Sequence, residues 1–160
     1  MEANSVNFSP KRKIVKFSQI FEVMQSDSEH LRVVYQKAVN PAYSKFYEKL
    51  ESIIDAYFKS GSVNDLSFVV TFADENYISG LFKSKAFLVP LNFDVSKGFF
   101  QNDSQVLKKI KTNKREVIKR VKKLSKTSFV SRPFVYLIDK GVGICIKNES
   151  GEWGSVKIRQ

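Results

Sequence analysis

Cysteine, histidine and tryptophan are almost absent from this sequence, with one residue of each among 160. The single cysteine, Cys145, cannot form an internal disulfide, and this favours a reducing compartment. One histidine and one cysteine are also too few for the usual protein zinc sites. We therefore expect no bound metal, and a cytoplasmic, nuclear or nucleoid location, including that of a viral protein made inside its host.

Long apolar runs are missing as well. The longest apolar stretches, such as residues 68–72 and 86–91, fall far short of the ~20 residues that a membrane-spanning helix needs. The first ten residues lack the basic start and apolar run of a secretory signal. The sequence therefore predicts no membrane span and no secretion.

The motifs of common enzyme classes are missing too. There is no GxxxxGK[ST] or GxGxxG loop, and no acid-x-Lys step of the kind found in many metal-dependent nucleases. The lone histidine, His30, falls in a segment predicted to be helical, where it is more often structural than catalytic. Cys145 stands between two isoleucines, which indicates a buried apolar role. We expect no enzyme and no cofactor. A small metal-free ribonuclease is the one enzymatic alternative, because such a site leaves no spacing pattern.

Positive charge, in contrast, is abundant and concentrated. The formal net charge is +11, from 27 basic and 16 acidic residues. Residues 105–132 hold 11 basic residues and one acid, Glu116, so this segment carries 11 − 1 = +10 and the rest of the chain 16 − 15 = +1. Like charges that are crowded together destabilise a folded chain, and this favours an anionic partner. A smaller cluster of Lys11, Arg12 and Lys13 extends this surface or belongs to a flexible basic arm over residues 1–12.

The spacing within the basic segment predicts one long amphipathic helix over residues 103–125. Residues 102–105, Asn-Asp-Ser-Gln, are typical of a helix start. Positions 107, 110, 114, 117, 121 and 124 recur every three or four residues and are apolar except for Lys114. The basic residues follow a continuous stripe: Lys108, Lys111, Arg115, Lys119, Lys122 and Lys126. Three more residues widen it: Lys109, Arg120 and Lys123. Lys114 and Arg132 complete the set of predicted binding residues in this segment. A helix of this length spans ~33 Å, about one turn of DNA.

This stripe predicts a nucleic-acid-binding protein, for DNA or RNA, that contacts the phosphate backbone. Lysine acts as a point charge, whereas base readout favours arginine, asparagine and glutamine, so we expect low sequence specificity. The alternative is a protein-interaction factor of viral or phage type that docks on an acidic host protein, with the aromatic helix over residues 43–58 partly exposed. A basic amphipathic helix also suits a membrane surface, but this one lacks tryptophan and phenylalanine on its apolar face.

The other segments predict an α+β fold in a single domain over residues 1–160. N-terminal helices are expected at residues 17–24 and 29–58, with a start at Ser26 to Glu29 and an interruption at Pro41. Three central strands follow, at residues 66–72, 77–82 and 86–93, and then a loop over 95–102. A three-stranded antiparallel meander ends the chain, at residues 133–138, 142–147 and 153–158.

Trp153 opens the last predicted strand. Alternation places it on the same side as Ser155 and Lys157, with Val156 and Ile158 facing the core. Two interpretations stay open. Trp153 either closes the edge of the core, or it is exposed beside lysines and stacks on a nucleic-acid base.

Overall fold

A computed structural model describes residues 12–17, 21–28, 31–124 and 133–159. Within these residues the protein is a mixed α+β structure with three α-helices and two sheets, and each strand pair whose register is described is antiparallel. The predicted α+β class is confirmed. The chain forms two compact units, Met1–Ser67 and Phe68–Gln160; the single domain stays a prediction.

The first unit begins with three strands and continues with a helix. Strands β1 (Lys13–Phe17), β2 (Phe21–Asp27) and β3 (Arg32–Ala38) are antiparallel neighbours, with Phe21 opposite Ala38 and Asp27 opposite Arg32. A 3₁₀ turn (Pro41–Tyr43) then leads into helix α1 (Ser44–Ser60).

The prediction of helices before Pro41 is wrong, because residues 21–27 and 32–38 are strands. In β3 the buried residues Val33 and Tyr35 alternate with more exposed ones, which is the period of a strand. The β-branched and aromatic residues there favour strand over helix. Of the expected helix start, Ser26 and Asp27 belong to β2, and Glu29 lies outside the described residues. The Ser28 hydroxyl accepts from the Leu31 N–H at 3.0 Å.

Helix α1 confirms the predicted helix after the proline. The Asn40 side chain accepts from the Ala42 N–H at 2.9 Å and caps the 3₁₀ turn, and Gly61 ends the helix with φ of +61°. The inner face of α1 is buried: Phe46, Tyr47, Leu50 and Ile54. The Tyr47 hydroxyl accepts from the Ala38 N–H at 2.8 Å and donates to the Gln36 carbonyl at 3.0 Å, so α1 packs on β3.

The second unit contains the central strands. Strand β4 (Asp65–Ala73) begins at the end of the first unit, and β5 (Tyr77–Lys83), β6 (Leu88–Asp94) and β7 (Phe99–Phe100) follow as successive neighbours. The three predicted strands are present, and the predicted loop contains the short strand β7.

Two helices and the second sheet complete this unit. Helices α2 (Asp103–Lys109) and α3 (Lys114–Leu124) precede β8 (Val135–Ile138), β9 (Gly141–Lys147) and β10 (Trp153–Arg159). These strands lie in the order β10-β9-β8, which confirms the predicted meander.

The second sheet is covered on both faces. On one face, residues of β8 to β10 such as Val135, Ile144 and Ile158 form a core with Val117 and Val121 of α3. A second apolar cluster covers the other face, where it joins residues of the sheet to the β5–β6 hairpin: Tyr136, Ile138, Cys145, Leu88 and, partly buried, Leu81 and Trp153. The helices and Trp153 therefore lie on opposite sides of one sheet.

Candidate nucleic-acid interface

Up to Leu124, where the described part of the basic segment ends, the chain forms two helices rather than the single helix predicted. Helix α2 ends at Lys109 and α3 begins at Lys114. Between them Lys111 adopts a left-handed conformation with φ of 59°, and the Thr112 N–H donates to the Leu107 carbonyl at 3.0 Å. The Asn113 side chain then accepts from the Glu116 N–H at 3.0 Å and caps α3.

The break has a direct consequence for the predicted binding surface. The helix is interrupted between Lys109 and Lys114, so the predicted stripe of ~33 Å is not continuous. The described part of α3 has 11 residues, and at about 1.5 Å per residue it is roughly 16 Å long. Threonine and asparagine are weak helix formers. The spacing of the basic residues does not indicate the break between α2 and α3, because Lys111 and Lys114 continue the charge pattern across it.

Helix α2 is anchored from its first turn. Asn102 and Gln105 form a reciprocal capping box, with side chain to backbone distances of 2.9 and 2.8 Å. Asp103 is buried, at 5% exposure. Its carboxylate accepts from the backbone N–H groups of Phe134 and Val135, at 3.2 Å. One acidic side chain thus fastens α2 to the start of β8.

Helix α3 presents a cationic face to solvent. Val117 and Val121 are buried against the sheet, whereas Arg115, Lys119 and Lys122 are exposed. These three residues are four and three positions apart, so they share one side of the helix. They surround the half-buried Ile118 and line with it a shallow depression of about 530 Å³. We call Arg115, Lys119 and Lys122 the α3 cationic face.

No acidic side chain neutralises this face within the described part of the chain. Helix α3 has six basic residues and one acid, Glu116, so its net charge is 6 − 1 = +5. Among residues 12–17, 21–28, 31–124 and 133–159, no ion pair involves Arg115, Lys119 or Lys122. The three charges are therefore exposed to one another and to solvent, which favours an anionic ligand.

The other predicted cations of this segment differ in their surroundings. Lys108, Lys111, Arg120 and Lys123 are exposed, and Lys114 is half-buried. Arg120 and Lys123 lie further around α3, on the side of Glu116. Lys126 and Arg132 lie outside the described residues.

Lys109 is the cation of this segment that packs against the protein. Its Nζ lies 3.2 Å from the ring centroid of Tyr77 and 3.9 Å from the Asp74 carboxylate. Burial lowers the pKa of Lys109, against the opposing effects of Asp74 and Asp94. This lysine therefore serves to hold α2 against the β4–β5 hairpin.

The N-terminal basic cluster is only partly described. Arg12 donates to the Asp55 carboxylate and to the Glu51 carbonyl, and its side chain is 17% exposed. Arg12 is thus held by α1 rather than extended. Lys13 lies in β1, its side chain is not described, and Lys11 lies outside the described residues.

Cys145 is fully buried, as predicted. Burial raises the pKa of its thiol to about 12, so the thiol is neutral near pH 7 and a poor nucleophile. His30 lies outside the described residues. Among those that are described, no group of three or more His, Cys, Asp or Glu residues is arranged to hold a metal ion, and no helix is long and apolar enough to span a membrane.

Trp153 combines features of both interpretations. Its ring borders the buried cluster of Tyr136 and Cys145, and its Nε1 donates to the Ala86 carbonyl at 3.2 Å. It is nevertheless only half-buried, and the Lys147 Nζ lies 5.3 Å from its ring centroid. Ile158 is buried on the opposite face, as predicted.

Comparison with protein-family models gives no match, and a search of curated proteins also gives no significant match.

Proposed function

We propose that this protein binds nucleic acid with low sequence specificity, through phosphate contacts made by the α3 cationic face and by Lys108 and Lys111 before it. The observation that supports this most directly is the exposed triad of Arg115, Lys119 and Lys122. These cations share one side of a helix whose net charge is +5, and the described residues give them no ion pair.

Helix α3 suits backbone contact because its position is fixed. Val117 and Val121 are buried in the same core as β8 to β10, and α2 is fastened by the Asp103 carboxylate. A rigid helix presents its charges without the ordering cost that a disordered basic tail incurs on binding. Two of the three side chains of the cationic face are lysines, which attract phosphates but read bases poorly.

The test is fluorescence anisotropy with labelled duplex DNA, single-stranded DNA and RNA. The variant Arg115→Gln/Lys119→Gln/Lys122→Gln removes three charges and keeps good helix formers. If each cation neutralises one phosphate, the slope of log K against log salt concentration becomes shallower by about 2.7 for duplex DNA and by about 2.1 for single strands. Binding with an unchanged slope would refute the proposed surface.

A matched control comes from α1. The variant Lys45→Gln/Lys49→Gln/Lys59→Gln removes the same charge from three exposed helical positions. It is expected to leave the slope almost unchanged, since charges outside the contact surface release few counterions. An equal effect of both variants would indicate attraction to overall charge rather than to α3.

A second candidate is an interaction with an acidic protein, and Ile118 favours it. An apolar side chain at the centre of a cationic face suits an amphipathic acidic helix. In α1 the aromatic residues Phe46 and Tyr47 are buried, whereas Tyr57 and Phe58 are half-buried, so only the C-terminal end of the aromatic helix could add to this interface. Absence of nucleic-acid binding at low salt, together with capture of an acidic amphipathic peptide that Ile118→Ser abolishes, would favour the second candidate.

A further inference from the structure

A groove lies on the side of the second sheet that faces away from α2 and α3. One wall comes from the β5–β6 hairpin and includes Lys83, Lys85 and Phe87. The other wall comes from residues 151–155, with Trp153 at its centre. The groove has a volume of about 460 Å³, and small-ligand sites in proteins are roughly 300–1,000 Å³.

The Trp153 ring is held in place before any ligand arrives. Its Nε1 donates to the Ala86 carbonyl at 3.2 Å, across 67 positions of sequence, and one side of it borders the cluster of Tyr136 and Cys145. The ring is half-buried, so part of its surface stays accessible in the groove. A rigid aromatic surface of this kind stacks on a planar ligand without loss of side-chain freedom.

The charge around this ring is positive. Lys83 and Lys85 are exposed on the hairpin, and the Lys147 Nζ lies 5.3 Å from the Trp153 centroid. The acid in the groove lining is Glu152, and its carboxylate accepts from the Asn148 side chain at 3.3 Å, within its own turn. A planar ligand that carries negative charge therefore suits the groove best.

We propose that this groove binds an unpaired base of single-stranded nucleic acid, stacked on Trp153, with the adjoining phosphates near Lys83 and Lys85. Aromatic rings flanked by lysines are the usual means of binding single strands without sequence preference. A paired base is stacked within its duplex and does not enter such a groove. The inference shares its ligand class with the proposed function but uses different residues, on the other face of the sheet.

The single tryptophan of the chain makes a direct test available. Trp153 fluorescence is measured during titration with an oligothymidylate and with an abasic oligonucleotide of equal length, which keeps the phosphates but has no bases. Stacking predicts quenching by the oligothymidylate and little change with the abasic strand. Saturated binding by anisotropy with unchanged fluorescence, or equal quenching by both strands, would overturn the proposal.

Two variants separate this groove from the α3 cationic face. Lys83→Gln/Lys85→Gln is expected to weaken single-strand binding severalfold and to leave duplex binding unchanged. The control Lys97→Gln/Lys140→Gln removes equal charge from exposed positions of the same unit and is expected to change neither. A loss of duplex and single-strand binding in equal measure in the first variant would contradict the groove.

The α3 triple variant distinguishes failure of the groove from failure of the proposed function. Quenching that persists at saturation in this variant supports a separate base site. If the triple variant binds like the original protein while oligothymidylate still quenches Trp153, the proposed function fails and the groove stands. If the triple variant loses binding and Trp153 never responds, the groove fails and the proposed function stands. Absence of binding by every ligand overturns both.

Discussion

The carboxylate of Asp103 offers a sharp test of how the basic helices are held. It is 5% exposed and accepts backbone N–H groups of Phe134 and Val135 at 3.2 Å. Asp103→Ala removes both contacts and leaves two buried donors without this acceptor. A buried donor left unsatisfied costs about 1–3 kcal/mol, so the loss is expected to be about 3 kcal/mol. Typical domains have only about 5–15 kcal/mol of stability in total.

Urea unfolding, followed by circular dichroism, measures this cost. Ser104→Ala is the matched control, because Ser104 is the exposed next residue of the same helix turn. Asp103→Asn keeps one acceptor oxygen and is expected to fall between the two. A loss below about 0.5 kcal/mol for Asp103→Ala, which is the range of ordinary surface substitutions, would refute the anchoring role.

Three further predictions concern stability. Because burial raises the Cys145 pKa to about 12, the unfolded thiol ionises from about pH 9 while the folded thiol stays neutral. The free energy of unfolding therefore falls by about 1.4 kcal/mol per pH unit between about pH 9 and the folded pKa. Urea unfolding at pH 8 and 10 checks this, and Cys145→Ala should show a smaller fall. Gly143→Ala places a Cβ against the Tyr136 ring and is expected to lower the free energy of unfolding by about 1–3 kcal/mol. The control is Gly154→Ala, where a Cβ meets nothing within 4 Å. Equal melting temperatures of the two variants would contradict this prediction. Lys111→Gly removes the backbone strain of a lysine with positive φ and is expected to stabilise the protein by up to about 1 kcal/mol. Lys119→Gly, within α3, is expected to destabilise it by about 1 kcal/mol. Destabilisation by both variants would contradict this prediction.

Much of the fold could be predicted because its determinants are local. The helix after Pro41 carries its own start and end in Asn40 and Gly61, and the meander is set by short β-branched runs separated by turns. The N-terminal strands could not be predicted as readily. Val34 and Tyr35 fit the spacing of a helix as well as that of a strand, and pairing with β2 decides between them.

The candidate site was predicted in its composition but not in its shape. Charge counting located the cations of residues 105–132, yet it gave no sign that Lys111 would turn the chain. The three-four spacing of the residues predicts a continuous helix there, because this spacing does not indicate a single residue with positive φ. The Trp153 groove depends on Ala86 and the β5–β6 hairpin, which are far away in sequence, so no local pattern indicates it.

The double coverage of the second sheet has a consequence for the unfolded chain. Residues 134–138, Phe-Val-Tyr-Leu-Ile, are all buried, because neither face of β8 meets water. Once unfolded, this uncharged β-forming stretch is a site for intermolecular cross-β pairing. Pro133 on one side and Asp139-Lys140 on the other are the types of residue that oppose such pairing. Folding thus hides a segment that, when exposed, makes the chain prone to aggregate, with those flanking residues as its protection.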